Sequence, residues 1–93
     1  MSLLDKDAKE LLKQKKKEEN RQRREEIGSY LRQLRKANGF TTEEVARKVG
    51  LSIKSINYYE FGQREMKLDV FEALCKIYQT TPDEVFQKSK RID

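Results

Sequence analysis

The sequence predicts an all-α fold in which five helices follow a charged N-terminal extension, and three observations carry that expectation. From Ile27 onward, apolar residues recur three and four positions apart in successive stretches, the period of helices buried along one face. Start and stop signals separate the stretches: Thr41 with Glu44, Gly50 with Ser52, and Thr81-Pro82-Asp83-Glu84. The composition is divided as well. Of 33 hydrophobic residues, 26 lie between Ile27 and Phe86, whereas Lys13 to Glu26 holds none. A core of about 60 residues folds alone only marginally, because it buries roughly 60% of its unfolded surface.

Met1 to Leu12 carries Leu3, Leu4, Ala8, Leu11 and Leu12, with Leu4, Ala8 and Leu11 at helical spacing. Three readings stay open for it: packing on another protomer, folding back on its own core, or a disordered tail. Lys13 to Glu26 is rich in helix formers, with opposite charges four apart at Glu19 and Arg23 and at Arg21 and Glu25. It has no apolar face, so as a helix it projects about 21 Å, in solvent or along an anionic partner. Ile27, Leu31, Leu34 and Ala37 then define the first core helix, stopped by Asn38-Gly39. Gly28 weakens its start by about 1 kcal/mol relative to Ala, which makes it the expected hinge of the arm.

Phe40 is placed to plug the core ahead of a second helix. Thr41 and Glu44 form a capping box, Val45, Ala46 and Val49 share one face, and Gly50 supplies a left-handed turn. Ser52 caps a third helix that turns Ile56 and Tyr59 inward. Counted from Thr42, the small or apolar places fall on Val45, Ala46, Val49, Gly50, Leu51, Ile56 and Tyr59, the spacing of a helix-turn-helix. Ala46 is small because the third helix crosses close to the second. An ordinary helical hairpin is the plainer alternative. Leu68, Phe71, Leu74, Cys75 and Tyr78 define a buried fourth helix, with Val70 and Ile77 alongside. A Thr81 cap, Pro82 at the first position and Glu84 closing the box start a fifth, anchored by Val85 and Phe86. Gln87 to Asp93 reads as a polar tail, and the extension, the helical domain and this tail divide at 1–26, 27–86 and 87–93.

The net charge of +5 and pI near 9.4 favour an anionic partner. Seven basic and two acidic residues between Lys13 and Arg24 concentrate that charge in the arm, as in a nucleic-acid-binding segment or a solvated charged helix. One cysteine and no histidine leave no disulfide framework and no His-Cys metal site, and Cys75 on an apolar face reads as a small core residue. No apolar run reaches a membrane span, so a soluble, cytoplasmic chain is expected. No cofactor is implied. Without histidine, a phosphate-cradling glycine loop or a nucleophile with its base, an enzyme is not expected.

The stretches IGSYLRQLRKANGFTTEEVARKVG, LSIKSINYYEFG and LDVFEALCKIYQTTPDEVF resemble, without a gap, the phage repressor and Cro family of helix-turn-helix domains, also called XRE-like. The resemblance covers Ile27 to Phe86. It implies a lambda-repressor-like five-helix domain that binds double-stranded DNA and regulates transcription, usually as a homodimer on a pseudo-palindromic operator. The family's scaffold ion pair falls on Arg35 and Glu60. Its base-contacting positions fall on Ser52, Ile53, Lys54, Asn57 and Tyr58. Lys54 can donate to guanine, Asn57 to adenine or a phosphate, and Ile53 can touch a thymine methyl; extra packing is the bland alternative for Ile53 and Tyr58. Phosphate contacts are expected from Thr42, Lys54, Ser55 and Arg64, and from Lys13, Lys15, Lys16, Lys17, Arg21, Arg23 and Arg24 in the arm. The family's Gln is Thr42 here, Phe61 stands at a place often polar or basic, and Met66 replaces a common Pro, so the operator is not readable from relatives.

The leading expectation is therefore a repressor or autoregulator with its third helix, residues 52–61, in the major groove. The second is an antitoxin-like or coactivator-like interaction module that grips a protein partner through residues 1–26, with Leu3, Leu4, Leu11 and Leu12 as its supporting feature. A homodimer is expected through Val85 and Phe86 or through the N-terminal segment.

Overall fold

The computed structural model describes residues 3–90; within the first helix, the side chains of residues 3–7 and 14–19 lie outside the described set. Five helices are present among the described residues: α1 Leu3–Ala37, α2 Thr42–Val49, α3 Ile53–Glu60, α4 Leu68–Ile77 and α5 Pro82–Lys88. The fold is all-α, as the periodicity predicts.

The largest departure from expectation is α1. It runs unbroken for 35 residues, and no hinge interrupts it at Gly28. The run from Lys13 to Glu26 lets the helix propagate, and the Arg21 and Glu25 side chains approach to 3.9 Å. Gly28 serves packing instead. A Cβ at this buried position would stand 2.3 Å from the Tyr59 carbonyl oxygen and 2.5 Å from that of Glu60, so only glycine lets the α1 backbone lie directly on the end of α3.

The folded unit also begins earlier than Ile27. Arg23 Nη2 donates to the Phe86 carbonyl at 3.1 Å and to Ser89 Oγ at 3.2 Å, and Arg24 Nε donates to the Gly62 carbonyl at 3.3 Å. Glu26 is buried, with its carboxylate 3.8 Å from Arg23. Gly62, at φ +68, rests against the Glu25 backbone, where a Cβ would meet the Glu25 nitrogen at 2.6 Å. Arg23 thus turns toward α5; its expected pairing with Glu19 lies outside the described residues. The far boundary shifts too: Gln87 and Lys88 belong to α5 and Ser89 is buried, where a polar tail was expected.

Between these edges the core gathers Leu31 from α1, Val45 and Ala46 from α2, Ile56 from α3, Phe71, Leu74, Cys75 and Tyr78 from α4 and its cap, and Val85 from α5. Phe40 packs against this cluster half-buried, its ring 6.5 Å from that of Tyr78. Leu68 is an exception. It opens α4 but is 68% exposed. Burial pushes the Tyr78 phenol well above its ordinary pKa, reinforced by the Glu60 charge, and burial likewise raises the Cys75 thiol.

The caps largely follow the sequence. Glu44 N donates to Thr41 Oγ1 at 3.1 Å while Thr41 N donates back to Glu44, completing the box, and Gly50 closes α2 at φ 72. At α5 only half of the expected box forms. Glu84 N donates to Thr81 Oγ1 at 3.2 Å, but the Glu84 carboxylate accepts from the Thr80 hydroxyl at 2.8 Å instead of the cap nitrogen.

Candidate nucleic-acid interface

α3 has two faces with different work. Ile56, Tyr59 and Glu60 are buried against α1 and α2, which fixes the rotation of the helix about its axis. Ser52, Ile53, Lys54 and Asn57 are exposed on the other side, toward its N-terminal end. Helix α2 meets α3 through Ala46, 4% exposed, and the Gly50 turn sets the angle between them.

Behind this surface Arg35 and Glu60 form the expected pair. Arg35 Nε donates to Glu60 Oε2 at 2.7 Å and Nη2 donates to Oε1 at 3.2 Å, a bidentate fork, while Nη1 donates to the Phe40 carbonyl at 2.9 Å. Both residues are buried. The hydrogen bonds to Glu60 raise the Arg35 pKa above its ordinary value even though burial opposes it, so the guanidinium is permanently charged. One side chain thereby ties α1, the α1–α2 connection and the end of α3 together.

The outward residues differ in how free they are. Ser52 is committed to the helix start, its Oγ accepting from Ser55 N at 3.1 Å and its hydroxyl donating to Ser55 Oγ at 3.0 Å, so the two serines first satisfy each other. Ile53 is 44% exposed, which sets aside the packing alternative for it. Tyr58 is half-buried, with Lys54 Nζ at 5.6 Å and the Arg64 guanidinium carbon at 4.7 Å from its ring centroid. Thr42 sits half-buried at the start of α2 and Arg64 is exposed after the motif.

In the arm, Lys13 and Arg21 are exposed on α1, and the side chains of Lys15, Lys16 and Lys17 lie outside the described residues. Arg23 and Arg24 are brought somewhere else: their bonds to Phe86, Ser89 and Gly62 make them fasteners of the arm, which departs from the phosphate contacts expected of them. Those bonds were not visible in the sequence, because a basic residue at the end of a charged run carries no sign of its partner. Phe61, 52% exposed, lies under the Arg32 guanidinium at 5.3 Å, another pairing that linear spacing does not reveal. Of the two residues expected at a dimer contact, Val85 is fully buried in the core, whereas Phe86 is 43% exposed beside Phe71. Phe86 and Leu68, with Ile27 and Met66, border an apolar cavity of about 260 Å³. Among the described residues no cluster of His, Cys, Asp or Glu is arranged to hold a metal, and no helix is long and apolar enough to cross a membrane.

A helix presented outward at its N-terminal end, set by a glycine turn on a second helix and locked from behind by a buried ion pair, is the working unit of helix-turn-helix domains. Residues 26–86 match the helix-turn-helix domain family, and the chain belongs to it. The uncharacterized HTH-type transcriptional regulator YobD of Bacillus subtilis is 38% identical over 53 residues, covering 57% of this chain and 47% of YobD. A protein of Thermococcus kodakarensis, provisionally named as an HTH-type transcriptional regulatory protein, is 39% identical over 51 residues, 55% of this chain and 16% of its own length. The chain thus spans less than half the length of these relatives. In fold it is similar to the clp gene regulator ClgR of Corynebacterium glutamicum, with a TM-score of 0.68 at 24% identity over 72% of this chain and 86% of that one.

Proposed function

We propose that this chain is a sequence-specific double-stranded DNA-binding transcriptional regulator, acting as a repressor or autoregulator with α3 in the major groove. The observation that carries the reading is the division of α3: one face is immobilised by Ile56, Tyr59 and the Arg35–Glu60 fork, and the other presents Ile53, Lys54 and Asn57 at the helix start. A helix entering the major groove offers its N-terminal residues to base edges, and these three supply an apolar contact, a cation and an amide. Tyr58 and Ser52 stand with them at the same surface. Thr42, Ser55 and Arg64 would supply the backbone contacts flanking that helix, and Lys13, Lys15, Lys16, Lys17 and Arg21 would add contacts from the arm.

So small a reading surface gains from duplication. A homodimer on a pseudo-palindromic operator suits it, with exposed Phe86 and Leu68 as the apolar patch available for pairing. The family match and the regulator names of the relatives support the class; repression, the dimer and a cytoplasmic location are parts of this proposal. Selection from randomised duplexes tests it. The unaltered chain is expected to enrich one motif, and Asn57→Ala to weaken binding and relax preference at one position, by about 1–3 kcal/mol where a bidentate base pairing is removed. Enrichment of no motif would refute the reading.

A second reading rests on Leu11 and Leu12, 66% and 60% exposed on α1. They would let the arm hold a protein partner while the domain binds DNA secondarily, and a stable co-purifying protein together with no enriched motif is the result that favours it.

A further inference from the structure

α3 carries a feature that neither base reading nor core packing uses: one aromatic ring attended by two cations from different elements. Lys54 stands one helical turn before Tyr58 and places its Nζ 5.6 Å from the ring centroid. Arg64 arrives from beyond the helix. Gly62, at φ +68, reverses the chain, Gly62 N donates to the Tyr59 carbonyl at 3.2 Å and Gln63 N to the Tyr58 carbonyl at 2.9 Å, and the Arg64 guanidinium carbon comes to 4.7 Å from the same ring. Neither cation has a carboxylate partner among the described residues, and both lie against the same ring.

We infer that Tyr58 is a positioning residue whose ring, not its hydroxyl, orients Lys54 and Arg64 as a paired clamp for consecutive phosphates of the DNA backbone. The inference rests on the DNA-binding reading and deepens it. It moves Tyr58 out of the base-contacting set and draws Lys54 toward the backbone.

The chemistry fits the placement. The face of an aromatic ring is negative and attracts a cation within about 6 Å. A guanidinium lying on a ring keeps its in-plane N–H donors directed outward, where a phosphate oxygen can accept them, and an ammonium beside a ring keeps donors free on its far side. Long basic side chains otherwise lose rotamer freedom when they dock, a cost of about 0.5–1.5 kcal/mol each, equivalent to roughly twofold to tenfold in affinity per side chain. Ordering before the encounter removes part of that cost. Tyr58 is half-buried on its own helix, so its ring is held firmly enough to act as a platform.

The test uses the full chain and a duplex selected by it, with affinity measured across a range of salt. Tyr58→Phe keeps the ring and is expected to hold affinity within about twofold and leave the salt slope unchanged. Tyr58→Leu is expected to weaken binding about tenfold and to flatten the slope by about 0.9 for each phosphate that is no longer neutralised, with no change of base preference. Arg64→Ala combined with Tyr58→Leu should cost less than the sum of the two. In the free protein, the Lys54 and Arg64 side-chain protons are expected at upfield NMR shifts that vanish in Tyr58→Leu, a readout independent of DNA. Loss of affinity in Tyr58→Phe with relaxed preference at one base pair would assign the hydroxyl to base reading and overturn the inference alone. So would wild-type affinity and slope in Tyr58→Leu, or ordinary shifts in the free chain. If the unaltered chain selects no duplex, the DNA-binding reading falls and this inference with it.

Discussion

Replacing Gly28 by Ala pits a local rule against a packing constraint. In an isolated helix the change is stabilising by about 1 kcal/mol, since glycine in a helix interior has more backbone entropy to lose. In this protein the added Cβ meets the Tyr59 carbonyl oxygen at 2.3 Å and the Glu60 carbonyl oxygen at 2.5 Å. Ordinary carbon-oxygen contact needs roughly 1 Å more, and both obstacles are backbone, so no rotamer change relieves them. α1 has to lift from α3, disturbing the Arg35–Glu60 fork two turns further along. Overpacking at the upper end of its usual range costs about 3 kcal/mol, leaving a net loss of about 2 kcal/mol after the helix gain. For a domain of this size that corresponds to a fall in Tm of roughly 8–16 °C, measurable by circular dichroism or calorimetry. An unchanged or raised Tm would refute the close crossing and restore the hinge.

Arg35→Ala should destabilise by about 3–5 kcal/mol, because it leaves Glu60 buried and unpaired; urea unfolding and operator binding are expected to fall together, and weakened binding with an unchanged melting curve would remove the scaffold role. Truncation separates the arm from its anchor: deleting residues 1–20 is expected to leave Tm unchanged, whereas deleting 1–26 lowers it by removing the Arg23 and Arg24 bonds, and the salt slope should flatten by about 0.9 for each phosphate contact that the arm supplies. Alkaline unfolding should involve Tyr78. Its folded pKa is raised, so its stabilising contribution is complete below the unfolded tyrosine value near about 10 and declines as pH rises above it, when only the unfolded chain gives up the proton. Tyr78→Phe is expected to flatten that decline in pH-dependent melting.

Helix number, caps and the motif were legible in the sequence because each rests on local chemistry. Thr41 with Glu44 and Ser52 with Ser55 are contacts three residues apart, and Val45, Ala46, Ile56 and Tyr59 follow a period that burial imposes. Contacts distant in sequence were legible only through resemblance, as with Arg35 and Glu60. Gly28 was misread because one local fact, a poor helix former, suits both a hinge and a close crossing, and only the position of α3 separates them. Arg23 and Arg24 carry a similar ambiguity: charge marks an attraction to carbonyls, which they bond here, as well as to phosphates. Leu68 and Val85 illustrate a third limit, since period places a residue on a face without saying whether another element covers it.

An unbroken α1 also gives the extension a phase. Each residue in an α-helix advances the face by about 100°, and with no joint between Leu11 and Gly28 the direction in which Leu11 and Leu12 point is geared to the orientation of α3. Removing one residue from 13–20 would swing that apolar pair about a quarter-turn around the rod, while removing seven would shorten the rod by about 10 Å and nearly restore its bearing. Whatever meets the far end of α1 therefore meets it at an angle set by the glycine seated beneath α3.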